Sequence, residues 1–350
     1  MADTMRAFVM TEVGKTAVVD KPIPTPGPEE AVVRTTTALI CTSDVHTVRG
    51  ALPIENGRTL GHESVGVVHA LGSAVSGFSE GQRVAVNAVT PCFRCDYCQR
   101  GFTSQCGGAL GGYRYTAQID GNMAEYFIVP AAAANLTPIP DDVTDEQVVL
   151  LADIASTGFS AAESGKVRIG DSVVVFACGP IGLCAIAGAK LSGASLIIGV
   201  DSDPVRLEMA RRMGADTVLD FTKVDVVDEV KRLTGGGADV TIEALGTQGT
   251  FENALRCLRP GGTLSSLGVY SGKLEMPYEA FAAGLGDHRI VTTLCPGGKE
   301  RMRRLIATVQ SGRFDPLPLI THRFALDDIV EAYDLFSNRR DGVLKVVIHP

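Results

Sequence analysis

The most constraining stretch of this chain is "DSVVVFACGPIGLCAIAGAKLSGA", residues 171–194, followed at once by "LIIGVDSDP". "DSVVVFA" is an apolar, β-branched run of strand length, and "IGLCAIAGAKLSGA" reads as a helix with small residues on its packing face. Between them lies Ala177-Cys178-Gly179-Pro180-Ile181-Gly182, the G-x-G-x-x-G pattern with alanine in the first place. In that pattern the second glycine lets backbone approach a pyrophosphate and the third lets helix and strand pack closely. The helix N-terminus then offers its free N–H groups to the phosphates. A glycine pattern alone marks only a tight turn. Here a strand precedes it, a helix follows, and Asp201 closes the next strand at about the 20-residue distance that a ribose-binding acid requires.

The alternation continues. "PVRLEMARRMGA" is a helix with Pro204 in its first turn and Gly214 at its end, and "DVTIEAL", "TFENALRCLRPGG", "TLSSLGV" and "RIVTTLC" carry on the rhythm. Strands alternating with helices imply βαβ units and a doubly wound parallel sheet. The N-terminal third differs: "AVVRTTTALI", "ESVGVVHALG", "QRVAVNAV" and "AEYFIVP" are short strand-like runs punctuated by "PTPGPEE" and "SGFSEGQ", which suggests a compact barrel-like β region. After Pro296 come two helices, "KERMRRLIATVQSG" and "LDDIVEAYDLFS", and a last strand, "VLKVVIHP". The expected organisation is a β-rich domain from 1–155 and 297–350 and a dinucleotide-binding domain from 156–296.

Asp201 bears on which dinucleotide is bound. A carboxylate there accepts from both ribose hydroxyls and repels a 2′-phosphate. Asp203 adds a second negative charge, and Arg206, the nearby cation, reads first as a solvated helix residue. These residues favour NAD(H).

The formal net charge of −8 and the lack of a basic cluster argue against nucleic acid as a partner. "MADTMRAFVMTEVGK" has no basic segment leading into an apolar run, and Val173–Ala189 is interrupted by Gly and Pro and too short to span a bilayer. A cytoplasmic protein without a membrane partner is expected. In a reducing compartment, clustered cysteines hold metal more often than they form disulfides. Four fall in "CFRCDYCQRGFTSQC": Cys92, Cys95, Cys98 and Cys106. A second set of donors is spread out: Cys41 in "ICTSDVHTVRG", His62 and Glu63 in "LGHESVG", and Asp153 in "LLADIASTGF". Thiolate, imidazole and carboxylate suit Zn²⁺. Taken singly, each is more simply a buried or surface side chain.

These motifs together resemble the zinc-dependent medium-chain alcohol dehydrogenases over essentially the whole chain, and most of all the microbial secondary-alcohol dehydrogenases, which share "CTSDxHT", "GHE", an aspartate before "TGF", and "CPGG" at 295–298. The resemblance implies a GroES-like β-barrel catalytic domain joined to a Rossmann domain. By position it makes Cys41, His62 and Asp153 the catalytic zinc ligands and Glu63 a reversible fourth. Four thiolates make a closed tetrahedral shell, so Cys92, Cys95, Cys98 and Cys106 would hold a structural zinc, giving two zinc ions per chain. A redox-switch use of the loop is the lesser alternative.

A zinc ion at the first site would act as a Lewis acid on an alcohol oxygen while the carbinol hydride passes to nicotinamide. In the resembled enzymes the equivalents of Ser43 and His46 relay the proton, Asp44 would orient His62, and Thr157 would lie by the nicotinamide. Cofactor contacts are expected at Gly179, Pro180, Ile181 and Gly182, at Asp201, Ser202, Asp203 and Arg206, and at Gly268, Val269 and Tyr270. Ala88, Tyr113, Tyr270, Leu294 and Cys295 would line the substrate pocket. Apolar and amphipathic, they suit small secondary alcohols and ketones better than polyols. A polyol- or threonine-type dehydrogenase is the nearest rival, and a homotetramer or dimer the expected assembly. The chain departs from the NADP-dependent members, which carry glycine and arginine where it has Asp201 and Asp203, and which often lack the cysteine loop.

Overall fold

The computed structural model describes residues 3–350. The chain divides into two units, one running from the N-terminus to Ser156 and resuming at Cys295–Pro350, the other Thr157–Leu294.

The first unit is built on β-structure because its sequence is rich in Val, Thr and Ile in short runs, which fit a pleated, half-buried surface. Thr4–Glu12 and Lys15–Pro22 form an antiparallel hairpin, with Arg58–Thr59 alongside. A larger sheet runs in the order Ile320–Ala325, Lys345–His349, Ala31–Leu39, Glu63–Leu71, Arg83–Val86, Leu136–Pro138, and Tyr126–Val129 also pairs with Ala31–Leu39. One apolar layer gathers Val33, Val68, Val84, Val86, Tyr115 and Phe127; another joins Phe8, Ile40, Leu60 and Ile348 to the helix Ile329–Ser337. That helix and Lys299–Gln310 each bury a three-to-four-spaced stripe, Ile329, Ala332 and Phe336 in one, Met302, Leu305, Ile306 and Val309 in the other. The strand Ile320–Ala325 lies between them at the sheet edge and pairs in parallel with Lys345–His349; its run of three polar residues, Thr321 to Arg323, hides it from a sequence reading.

The second unit is a six-stranded, wholly parallel sheet in the order Thr217–Asp220, Leu196–Asp201, Ser172–Phe176, Ala238–Glu243, Leu258–Ser266, Arg289–Thr292. Chain order runs outward in both directions from the pair Ser172–Phe176 and Ala238–Glu243. That pair is the switch point, where such sheets bind ligands at the carboxyl ends of their strands. Helix starts follow local chemistry. Pro180 and Pro204 occupy first turns, Asp203 and Asp225 accept backbone N–H bonds as N-caps, and Gly214 and Gly235 end their helices at φ 119° and 69°. The helix Val226–Thr234 belongs to the same winding and packs Val226, Val230 and Leu233, spaced by four and three, against the sheet's apolar layer.

Glycine is required where strands Ala31–Leu39 and Glu63–Leu71 cross. A Cβ on Gly66 would stand 2.1 Å from the Arg34 carbonyl oxygen and 2.8 Å from the Val33 side chain. Gly66→Ala is therefore expected to cost about 1–3 kcal/mol, seen as a lower unfolding midpoint in denaturant. A midpoint equal to wild type would contradict this strand spacing.

Candidate functional site

Cys41 follows the strand Ala31–Leu39 by two residues and stands at the N-cap of the short helix Thr42–Val48. The Asp44 carboxylate folds back to accept the Cys41 N–H at 2.9 Å and, with its other oxygen, the Gly61 N–H at 3.1 Å. One fully buried acid thus fixes two segments that each present a donor, since His62 follows Gly61 directly. Gly61 sits at φ 94°, and a Cβ there would run into Met123. Asp153 is carried by Leu151–Ala155, a single π-helical turn after the Thr144-capped helix Asp145–Val149. Such widened turns recur at functional sites because they re-aim one side chain.

The four side chains converge. Ligand atoms of Cys41, His62, Glu63 and Asp153 all lie within 4.8 Å of one another. His62 Nε2 is 3.5 Å from Asp153 Oδ2 and 3.9 Å from Glu63 Oε1, and Cys41 Sγ is 3.8 Å from Asp153 Oδ2. Tetrahedral zinc, with bonds of about 2.0–2.3 Å, separates neighbouring donors by roughly 3.3–3.8 Å. The donor set fits that ion in size and chemistry.

Charge points the same way. Glu63 is fully buried, its Oε1 accepts from Lys345 Nζ at 2.9 Å, and its Oε2 has no hydrogen-bond partner. Lys345 is itself buried, and its ammonium also donates to the Ile40 carbonyl at 2.8 Å. A Cys41 thiolate, the Glu63 and Asp153 carboxylates and the Lys345 ammonium sum to two negative charges, which a divalent cation would cancel. Without it, burial pushes the Cys41 thiol up and pushes the Glu63 carboxyl up, Lys345 opposing at Glu63. Sequence reading missed Lys345. The signal was a single lysine in the otherwise apolar "VLKVVI".

Around the cage, Ser43 Oγ lies 3.2 Å from His62 Nε2. His46, one turn further along the same helix, is exposed. Asp44 was expected to orient His62, but its Oδ1 is 3.7 Å from Nδ1, beyond hydrogen-bond reach; its bonds are spent on backbone. The Tyr113 hydroxyl makes that contact, at 3.2 Å from Nδ1, with the two rings edge-on. Burial raises the Tyr113 hydroxyl above its ordinary range, so it stays a neutral phenol. Ala88 and Cys295 are buried together with Val89, and both the Ala88 N–H and the Cys295 thiol reach the Ala152 carbonyl beside Asp153. Leu294 is half-buried at the end of the second unit.

The cysteine loop forms a second cluster. Ligand atoms of Cys92, Cys95, Cys98 and Cys106 lie within the same 4.8 Å limit, and none of the nine cysteines is disulfide-bonded. Backbone N–H groups of Arg94 and Cys95 donate to Cys92 Sγ, Cys92 N–H to Cys106 Sγ, and Gly107 N–H to Cys95 Sγ. Bonds from Cys98 and Gly107 pull the Cys95 thiol down to about 6, whereas burial pushes Cys98 up to about 12. Amides aimed at sulfur stabilise thiolates, which is what a four-sulfur zinc site needs.

In the second unit the turn after Ser172–Phe176 has the features that a dinucleotide demands. Ala177 takes φ 72°, the left-handed conformation that the pattern's first glycine would supply. A Cβ on Gly182 would lie 1.9 Å from the Ala177 carbonyl, so the third glycine is obligatory. A Cβ on Gly179 would meet no protein atom within 4 Å, and no side chain caps the helix Pro180–Leu191, leaving its N-terminal end and Ile181 open to a phosphate. Asp201 accepts from Cys178 N–H with Oδ2 and from Ser202 and Asp203 N–H with Oδ1, so it ties the phosphate turn to the next one. Arg206 Nη1 stands 4.0 Å from it. Thr157 is buried at the start of this unit. Gly268, exposed Val269 and Tyr270 follow the strand Leu258–Ser266; Tyr270 turns its hydroxyl inward onto Glu243.

Comparison with known proteins agrees with this anatomy. Residues 27–141 match the alcohol dehydrogenase GroES-like domain and 180–311 the zinc-binding dehydrogenase domain. An alcohol dehydrogenase of Cupriavidus necator is 57% identical across the full length of both chains, and the NADP-dependent isopropanol dehydrogenase of Thermoanaerobacter brockii is 38% identical over 98% of this chain and 99% of its own. Among solved structures, an alcohol dehydrogenase from Thermus sp. ATN1 superposes with a TM-score of 0.90 at 32% identity, covering 99% of each chain.

If the Tyr113 phenol holds the His62 ring in place, Tyr113→Phe is expected to weaken metal retention roughly 10–100-fold, measured as faster loss of zinc to a competing chelator. A loss rate equal to wild type would show that His62 is oriented without it.

Proposed function

The chain belongs to the zinc-dependent alcohol dehydrogenase family, and from that premise we propose that it interconverts secondary alcohols and ketones with NAD(H), using one catalytic and one structural zinc ion per chain. The observation that carries the reading is the meeting of Cys41, His62, Glu63 and Asp153 in one largely buried cluster. The catalytic zinc supplies Lewis-acid polarisation of the alcohol oxygen, and the coenzyme supplies the hydride acceptor.

The remaining work falls to side chains. Cys41, His62 and Asp153 would hold the ion. Glu63, tied to Lys345 by one oxygen and free at the other, is suited to approach and leave as substrate exchanges. Ser43 Oγ would accept the alcohol proton while passing its own on, toward exposed His46 on the same helix. Ala88, Tyr113, Leu294 and Cys295 would bound the substrate; their apolar character suits small ketones. Cys92, Cys95, Cys98 and Cys106 staple a lobe with little helix of its own.

NAD(H) rather than NADP(H) is supported by Asp201. Its carboxylate keeps acceptor capacity beyond its three backbone bonds, and a 2′-phosphate would have to approach it and Asp203 together. Thiols without disulfides suit a reducing cytoplasm, and no helix among the described residues is long and apolar enough to cross a membrane. A homotetramer or dimer is the proposed assembly.

Cys41→Ser and Asp153→Ala are expected to abolish turnover of 2-propanol while leaving NADH binding intact; either variant with a normal kcat would remove the assigned ligand role. Asp201→Gly combined with Asp203→Arg is expected to raise the ratio of NADP to NAD use, with about 1 kcal/mol of stability lost with the helix cap at Asp203. An unchanged ratio would acquit the acidic pair. In a substrate panel, 2-propanol and 2-butanol should outpace sorbitol and threonine, and the reverse order would favour a polyol or amino-alcohol enzyme.

A further inference from the structure

Glu243 is a fully buried carboxylate that the reaction does not use. It ends the strand Ala238–Glu243, one of the two strands at the switch point; its register partner on the other is Phe176, the residue before the phosphate turn. Its partners among the described residues are all neutral donors. Oε1 accepts the Leu245 N–H at 2.9 Å, the Gly246 N–H at 2.8 Å and the Thr250 hydroxyl at 2.7 Å; Oε2 accepts the Tyr270 hydroxyl at 2.7 Å and the Ser266 hydroxyl at 3.4 Å. One side chain therefore ties the loop after its own strand, the start of helix Gln248–Arg256, the end of strand Leu258–Ser266 and the loop beyond it.

The two loops press together over this carboxylate with no room to spare. A Cβ on Gly268 would lie 2.2 Å from Glu243 Oε2 and 2.5 Å from Gly246 Cα, and a Cβ on Gly246 would lie 2.5 Å from the Val269 carbonyl. Yet each loop shows solvent an apolar side chain, Leu245 on one and Val269, 77% exposed, on the other. Tyr270 packs its ring edge-on against Phe251 and spends its hydroxyl on Glu243 and Ser266, so it acts as a peg between loop and sheet.

Topology says which end of a dinucleotide this assembly serves. Asp201, for the adenosine ribose, ends the strand on one side of the phosphate turn; Glu243 and its loops end the strands on the other. A dinucleotide whose pyrophosphate crosses that turn must put its nicotinamide half over the Glu243 side. We infer that Glu243 is a positioning residue that pre-forms the nicotinamide half-site by clamping the loops 244–250 and 267–270. This rests on the reading of the chain as a nicotinamide-coenzyme enzyme and adds a residue for one end of that coenzyme.

The test compares the whole coenzyme with its adenosine half. Full-length protein is titrated with NADH, or with NADPH if wild type prefers it, by fluorescence, and with ADP-ribose by calorimetry. Glu243→Met, which removes every acceptor, should raise the coenzyme Kd about tenfold and leave the ADP-ribose Kd within about twofold. Glu243→Gln keeps an oxygen for the Leu245 and Gly246 N–H groups and can turn its amide to the two hydroxyls, which then accept; it should restore most of the affinity. Tyr270→Phe, which deletes the hydroxyl's bonds to Glu243 and Ser266 and leaves the carboxylate in place, should weaken coenzyme binding a few-fold with ADP-ribose unchanged, and decides the matter if Glu243→Met does not fold. Coenzyme affinity unchanged in the variants, or ADP-ribose weakened to the same degree, overturns the inference and leaves Glu243 a residue of the general fold. A wild-type chain that binds neither coenzyme sinks the underlying reading, and the inference with it.

Discussion

Acidic donors sealed from water repel one another unless something positive stands among them. Cys41, Glu63 and Asp153 crowd around His62 in a space where the ligand residues are almost wholly buried, and the nearest fixed cation is one buried ammonium, Lys345. Dehydrating such groups without compensation costs several kcal/mol apiece. A divalent ion would remove the repulsion, and the local architecture holds the four side chains in register. Asp44 holds the Cys41 and Gly61 amides in one grip, a π-helical turn aims Asp153, and the C-terminal strand brings Lys345 from far along the chain.

The second unit solves a different problem with a similar device. Its parallel sheet ends in loops whose backbone must come close to a ligand, and buried carboxylates stitch those loops down. Asp201 binds the amides of two turns on one side of the switch point, and Glu243 binds two loops on the other. Each is an acid at the carboxyl end of an apolar strand, where strand hydrogen bonding stops and amides are left over. The strain at Ala177, a non-glycine residue at positive φ, lies between them at the turn meant for phosphate.

Much of this was legible in the residues themselves. The Ala177–Gly182 turn, the acid at Asp201 and the close-spaced cysteines are local patterns, and local patterns survive in a one-dimensional reading. So did the helix Pro204–Met213, because Pro and Gly mark its two ends. Cys41, His62 and Asp153 were grouped only by the family resemblance. What escaped was chemistry created by pairing. Lys345 reaches Glu63 only because Lys345–His349 lies antiparallel to Ala31–Leu39, and Tyr113 reaches His62 from a loop 51 residues away. Asp44 was credited with that ring, but its two oxygens are taken by the Cys41 and Gly61 amides. Glu243 looked like the end of one more strand. A charge set among apolar strand residues was the overlooked sign, Lys345 in "VLKVVI" and Glu243 in "DVTIEAL".

The central claim is that a metal ion sits among Cys41, His62 and Asp153. Crystals of the purified protein measured on both sides of the zinc absorption edge test it most directly. The difference map should hold a peak within bonding distance of Cys41 Sγ, His62 Nε2 and an Asp153 carboxylate oxygen, separate from any peak among the four cysteines of residues 92–106. Density confined to the cysteine loop, with that cage holding no zinc after reconstitution with excess metal, would contradict it.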